Sequence, residues 1–288
     1  MTASPIESAA AVVSLLDDYS LEMTGKDVPK LDEARATIPA GTRVNVTFLG
    51  NEDLQMRLSA ARAVARWGFV PVPHISARRL ASQAQLEEFL GALAESGVNE
   101  NVFTVAGDPA KPEGPYEDAL AVIRSGLLEQ HGVRHVSISG YPEGHPDIPG
   151  PSLWTSLEDK AAALREQSLP GTIITQFGFD SDAVLTWVEA VRDRGIDLPI
   201  RIGVPGPAGV RRLMTYAARF GVGTSTSIAK KYGLSITNLM STAGPDKFLH
   251  ALAGGYDPAR HGVLKLHFYT FGGMKATSEW VVDFKKGA

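Results

Sequence analysis

Cysteine is missing from all 288 residues. That excludes a disulfide framework, a thiolate nucleophile, a Cys-bound zinc and an Fe–S cluster. Charge of one sign is also scarce. The 28 Lys and Arg against 32 Asp and Glu leave a formal −4, whereas a nucleic-acid-binding domain is usually basic. No apolar run approaches the roughly 18 residues a membrane-spanning helix needs. Residues 9–16 (AAAVVSLL) are short, flanked by acids and preceded by no basic segment, so they suggest a surface helix rather than a signal peptide. These absences predict a cytoplasmic protein with neither nucleic acid nor membrane as partner.

Several catalytic signatures are absent too. No G-x-G-x-x-G follows the first strand candidate, which counts against a doubly wound dinucleotide fold. The seven His include no H-E-x-x-H and no carboxylate-supported H-x-H, so no metal site is expected. Ser139-Gly140 is not a nucleophile elbow, because G-x-S-x-G is missing.

What is present is a chain that can bury a core, with 44% hydrophobic and 21% charged residues. Strand candidates fall at 19–22, 43–48, 70–74, 101–105, 135–139, 172–176, 199–204 and 263–269. Helical patterns occupy 53–67, 82–96, 116–130, 156–167, 181–194 and 209–219, with further helical turns at 225–231 and on to 253. Strands separated by helices pair in parallel. Eight such units over this length predict one closed (β/α)8 TIM barrel, class α/β, rather than an open sheet. The whole chain, 1–288, is expected to be one catalytic domain, with 1–18 as a helical extension.

In such a barrel the chemistry sits at the C-terminal strand ends. In order those ends carry Glu22, Thr47, His74, Gly107 with Asp108, Tyr141 with Glu143 and His145, Gln176, Gly203 and Tyr269. A single strand-end carboxylate is usually a helix cap or solvated. The set is informative because one fold gathers all of it around one mouth. Gly107 would let backbone approach a flat ligand. Residues 204–209 (VPGPAG) suit either an anion site opening the next helix or a plain turn. Lys265, inside the last strand, suits either a Schiff base or an outward-pointing strand position.

At this point the strand ends resemble the methylenetetrahydrofolate reductase family from residue 20 to 270. The resemblance rests on Ser20-Leu21-Glu22, on 44–48 (VNVTF), on Pro73-His74 and Gly107-Asp108. It rests above all on 141–146 (YPEGHP), 174–180 (ITQFGFD) and 267–270 (HFYT). It implies hydride transfer through a noncovalent FAD between NADH or NADPH and the one-carbon unit of a tetrahydrofolate derivative. By the same resemblance Glu22 is the general acid that protonates folate N10. Asp108 contacts the pterin, Gln176 folate or nicotinamide, Thr47 the nicotinamide side, and Tyr269 the folate loop. Phe48, Gly50, His74, Ala106, Gly107, Asp108, Tyr141 and His145 line the flavin. Lys160, or in an ungapped alignment Arg165, meets its diphosphate. A homo-oligomer, a dimer or larger, is implied as well.

The chain departs from the family pattern in places. Ala106 stands where the family's R-G-D has Arg. A family Gln falls on Arg212, and a family Arg falls on Gly273, with Lys275 nearby. These departures keep rival readings in view: a flavin-free enzyme of the same family, an FAD enzyme running oxidatively in demethylation, and, from another class, a folate carrier without catalysis. The retained Glu22 argues against the carrier, since binding alone needs no proton donor.

Overall fold

The computed structural model describes residues 12–222 and 242–287. Eight parallel strands close into a barrel: β1 Ser20–Met23, β2 Arg43–Val46, β3 Val70–Ser76, β4 Asn101–Val105, β5 His135–Gly140, β6 Gly171–Phe177, β7 Ile200–Pro205 and β8 Leu264–Tyr269. They follow the ring in chain order, and β1 completes it by pairing with β8, Glu22 beside Tyr269. The expected (β/α)8 barrel is therefore the observed one. Alternation gives each strand two apolar environments. Leu21, Val44 and Phe268 belong to the large core under the helices, while Val72, Phe103 and Ile174 form a small separate cluster. Truncating a side chain as buried as Phe268 to Ala costs about 3–5 kcal/mol by cavity formation.

Helix starts follow their caps. The side chains of Asp53, Ser82, Asp118 and Asp180 each accept a backbone N–H at the first turn of the next helix. Other boundaries differ from the sequence reading. The pattern over 116–130 is two helices, Ala119–Arg124 and Leu127–Gln130, parted by Gly126 at φ +74°. The helix expected from 156 starts earlier and spans Gly150–Glu166, because Pro151 suits the first helical turn, where its missing N–H is not needed. Val28–Ala34 and Met274–Gly287 are helices the sequence reading did not place. The turns expected at 225–231 and most of the 1–18 extension lie outside the described residues. Residues 12–16 are helical.

The N-terminal end of the barrel is plugged by matched charges. Asp18 takes Arg43 on Oδ1 and Arg201 on Oδ2, each at 2.7 Å. His135 bonds Thr172 at 2.8 Å, and Lys265 donates to the Ser14 carbonyl at 2.8 Å. Lys265 thus stands at the end away from the mouth. Among the described residues no helix is long and apolar enough to cross a membrane, and no group of three or more His, Asp or Glu could hold a metal.

Candidate active site

A cavity of about 1040 Å³ opens at the C-terminal strand ends. Glu22 reaches it from β1 with its side chain 18% exposed. Behind the carboxylate stands His267 of β8, fully buried, with Nε2 3.4 Å from Glu22 Oε2. Its Nδ1 lies 2.9 Å from the Ser20 hydroxyl. The tautomer with the proton on Nε2 satisfies both contacts, since Nδ1 then accepts from Ser20. Thr270 donates to the Glu22 carbonyl at 2.7 Å, fixing the strand end itself.

His74 of β3 approaches the same carboxylate at 4.0 Å. Burial, outweighing the pull of Glu22, pushes its pKa down to about 4, so the ring is neutral near pH 7. Its Nε2 is buried without a hydrogen-bond partner, and so is the Ser76 hydroxyl two residues on. Both residues line the cavity. Buried polar atoms are rarely left unmatched, so these two offer hydrogen-bonding positions to water or to a polar ligand at one wall. The opposing backbone is bare at Gly107, whose φ is +95° and where a Cβ would collide with Ser76 Oγ.

Two buried or half-buried carboxylates lash the mouth loops together. Glu52 accepts from Gly25 N–H at 2.9 Å and from Leu49 N–H at 3.2 Å, joining the loops after β1 and β2. Glu143 accepts from Phe179 N–H at 2.7 Å and Asp180 N–H at 3.1 Å, joining the loops after β5 and β6. Gly178 must lack a side chain there, since its Cβ would sit 2.6 Å from Glu143 Oε1. Register shifts between Ile174 and Phe177, an irregularity of the kind that re-aims a side chain, here Gln176.

One wall is aromatic. Phe177 meets Tyr269, Phe220 and Phe271 edge-on, and Tyr216 stacks on Phe271 at 4.1 Å. Gly203 keeps β7 bare beside this wall: a Cβ there would collide with the Thr175 carbonyl, which accepts from the Tyr269 hydroxyl at 3.1 Å. Burial, with Glu22 nearby, raises the Tyr269 pKa well above the usual phenol value, so it stays a donor. Arg212, Arg219 and Lys275 give the cavity a cationic side.

A family model for methylenetetrahydrofolate reductase matches residues 30–283. The chain belongs to the methylenetetrahydrofolate reductase family. Methylenetetrahydrofolate reductase 2 of Saccharomyces cerevisiae is 30% identical over 129 residues, 41% of this chain and 20% of that protein. The 5,10-methylenetetrahydrofolate reductase of Pectobacterium carotovorum is 28% identical over 158 residues, 54% of this chain and 50% of that one. The matched segments thus span half or less of these relatives' length. Two solved structures share the fold. An uncharacterized protein from Clostridium thermocellum, described as binding two copies of 5-methyl-5,6,7,8-tetrahydrofolic acid, has TM-score 0.61 at 9% identity, over 96% of this chain and 98% of that one. Dihydropteroate synthase from Thermus thermophilus has TM-score 0.51 at 14% identity, over 96% of this chain and 95% of that one.

Membership of the methylenetetrahydrofolate reductase family brings the residues singled out in the sequence back into view. Glu22, Thr47, Asp108, Gln176 and Tyr269 all line the cavity, as do Phe48, Gly50, His74, Gly107 and Tyr141. Four others do not. Ala106 uses its carbonyl to accept from Arg78 N–H. His145 turns onto its own loop, accepting from Asp147 N–H at 3.1 Å and meeting Tyr141 edge-on. Lys160 is buried behind the wall, 3.3 Å from Ser139 Oγ, and burial lowers its pKa to about 8. Arg165 is exposed and reaches toward the Gly195 carbonyl in the turn before β7, at the opposite end of the barrel. Ser20, Glu52, Ser76, Arg57 and His267 had no assigned part in the sequence reading. Of these, Ser20 and His267 carried a signal, inside Ser20-Leu21-Glu22 and H-F-Y-T. Arg57 lies 3.7 Å over the Phe48 ring and 4.5 Å from that of Phe89, which fixes Phe48 at the cavity edge.

Proposed function

We propose that this chain is a methylenetetrahydrofolate reductase that interconverts 5,10-methylene- and 5-methyl-tetrahydrofolate on a single barrel domain, using FAD and NADH or NADPH. The observation that carries the reading is the Glu22 carboxylate, seated on His267 and facing a cavity with unmatched polar atoms. Family membership supplies the reaction class. The residues present suit a flat heterocycle: His74 Nε2 and Ser76 Oγ await partners, Gly107 is bare, and Tyr141 offers an aromatic face. FAD, when bound, supplies hydride relay between nicotinamide and folate.

The chain's own groups do the rest. Glu22 delivers a proton to folate N10, opening the ring so that the one-carbon unit becomes an electrophile, and its carboxylate takes the proton back in reverse. His267, held by Ser20, keeps the carboxylate oriented. Asp108 accepts from the N–H edge of the pterin, Gln176 binds whichever substrate is present, and Thr47 serves the nicotinamide side. The aromatic wall with Tyr269 and the cations beyond it suit an aryl group ending in carboxylates. Phe48, Gly50, His74, Gly107 and Tyr141 hold the flavin. Holding both reactants in one aligned geometry contributes much of the rate. Stopped-flow measurement of each half-reaction in Glu22→Gln is the test. An intact folate half-reaction would overturn the assignment.

A second reading is direct hydride transfer from NAD(P)H to folate without flavin. It is favoured by Ala106 in place of an Arg and by the Arg79 guanidinium lying over Gly50. An absorption spectrum of fresh protein decides: about one flavin per chain eliminates it.

A further inference from the structure

The loop after β3 carries two consecutive arginines that do different work. Arg78 is structural. Its Nε donates to the Glu117 carbonyl at 2.8 Å and its Nη1 to the Pro109 carbonyl at 3.3 Å, holding down the long loop that follows β4. Arg79 turns the other way. Its Nε donates to Asp108 Oδ1 at 2.9 Å, and Nη2 bonds the same oxygen. The guanidinium lies on Gly50, where a Cβ would collide with three of its atoms, and 5.8 Å from the Phe48 ring centre. Three mouth loops, after β2, β3 and β4, therefore meet on one cation.

This arrangement is a poor stability device. The Asp108 side chain is 75% exposed, and an ion pair so open to water contributes little to folding. What it does accomplish is geometric. A guanidinium bonded twice to one carboxylate oxygen limits rotation of the carboxylate. Oδ2 is left without a protein partner among the described residues, and Asp108 lines the cavity where Arg79 does not. We propose that Arg79 is a positioning residue, which aims Asp108 Oδ2 at the N–H edge of the bound pterin. The proposal rests on the folate reading above and names the residue that tunes that subsite.

The test is 5-methyltetrahydrofolate binding to the purified full chain, by titration calorimetry, with kcat and KM alongside. Arg79→Gln raises Kd and KM about fivefold with kcat and Tm nearly unchanged. Arg79→Lys, which keeps the charge but not the fork, falls between. In an Asp108→Asn background neither change adds a further loss, the non-additivity expected of residues acting through one contact. An Arg79→Gln protein that binds like wild type overturns the proposal, as does a loss that adds in full to that of Asp108→Asn. If wild type binds but the variants do not differ, this proposal alone falls. If wild type binds no folate, the functional reading falls and takes it along.

Discussion

The two ends of the barrel put their polar groups to different use. At the N-terminal end the polar groups named above are paired: Asp18 with Arg43 and Arg201, His135 with Thr172, Lys265 with a carbonyl. At the C-terminal end the Glu22 carboxylate meets imidazoles, and His74 and Ser76 end in unmatched atoms. Leaving a buried donor or acceptor unsatisfied costs about 1–3 kcal/mol. Unmatched atoms also occur at Tyr19, Asn45, Gln167 and Arg192, but of the six only those of His74 and Ser76 belong to residues that line the cavity. The contrast separates stability from chemistry by roughly the length of a strand, and it makes four predictions, ordered by size.

Glu22→Gln should slow the folate half-reaction about 10²- to 10⁴-fold, the usual worth of a general acid, while flavin reduction and Tm hold. Rapid-mixing spectroscopy on both half-reactions measures it, and a matching drop in Tm would blur the division between the ends. Asp18→Ala should do the reverse. It takes the carboxylate from Arg201, which is nearly buried beside Arg43 and keeps only the carbonyl of residue 18, a loss of about 1–3 kcal/mol with Asp18 itself half exposed. Urea unfolding should show the loss while activity per folded molecule stays put.

Glu143→Ala should fall between the two behaviours, since this strap is structural in its bonds and functional in its position. Removing the acceptor of two backbone N–H groups costs about 1–2 kcal/mol, and the freed loop beside Gln176 should raise the folate KM. A change in stability without any change in KM would make the strap purely structural.

The smallest effect is a pH slope. His74 and His135 both have pKa values near 4 in the fold, from burial first, and 6.5 unfolded. The unfolded chain then binds more protons between those values. Their contribution is complete above pH 6.5 and is lost as pH falls toward 4. His135→Gln should flatten the decline in urea midpoint between about pH 7.5 and 5, and an unchanged slope would mean that His135 is not held neutral.

The strands were legible because their patterns are strong: 43–48 (RVNVTF) and 263–269 (VLKLHFY) alternate, and each begins and ends near its observed strand. The mouth was legible because the barrel brings all C-terminal strand ends together, whatever lies between them. The final helix, Met274–Gly287, was not, since half of its buried face is polar: Thr277 and Ser278 beside Met274 and Val281. Ser278 bonds Thr37 at 2.6 Å, a contact 241 residues apart that no periodicity reveals. The break at Gly126 was missed because a glycine within a helical pattern gives no sign of whether it will adopt positive φ. In the site, Y-P-E was visible as a string, but not that its carboxylate clasps the loop 36 residues on. Arg79 was hidden in the same way, as one of two adjacent surface-like arginines.

The seam between β1 and β8 has one more consequence. Glu22 and His267 are 245 residues apart and touch only across that seam. In a closed ring the registers of all eight strand pairs must add up, and a one-residue slip anywhere turns side chains to the wrong face. The contact is therefore a checksum on the whole circle. A half-barrel fragment would carry the acid or the imidazole but never the pair, and catalysis would report, molecule by molecule, that the ring had closed in register.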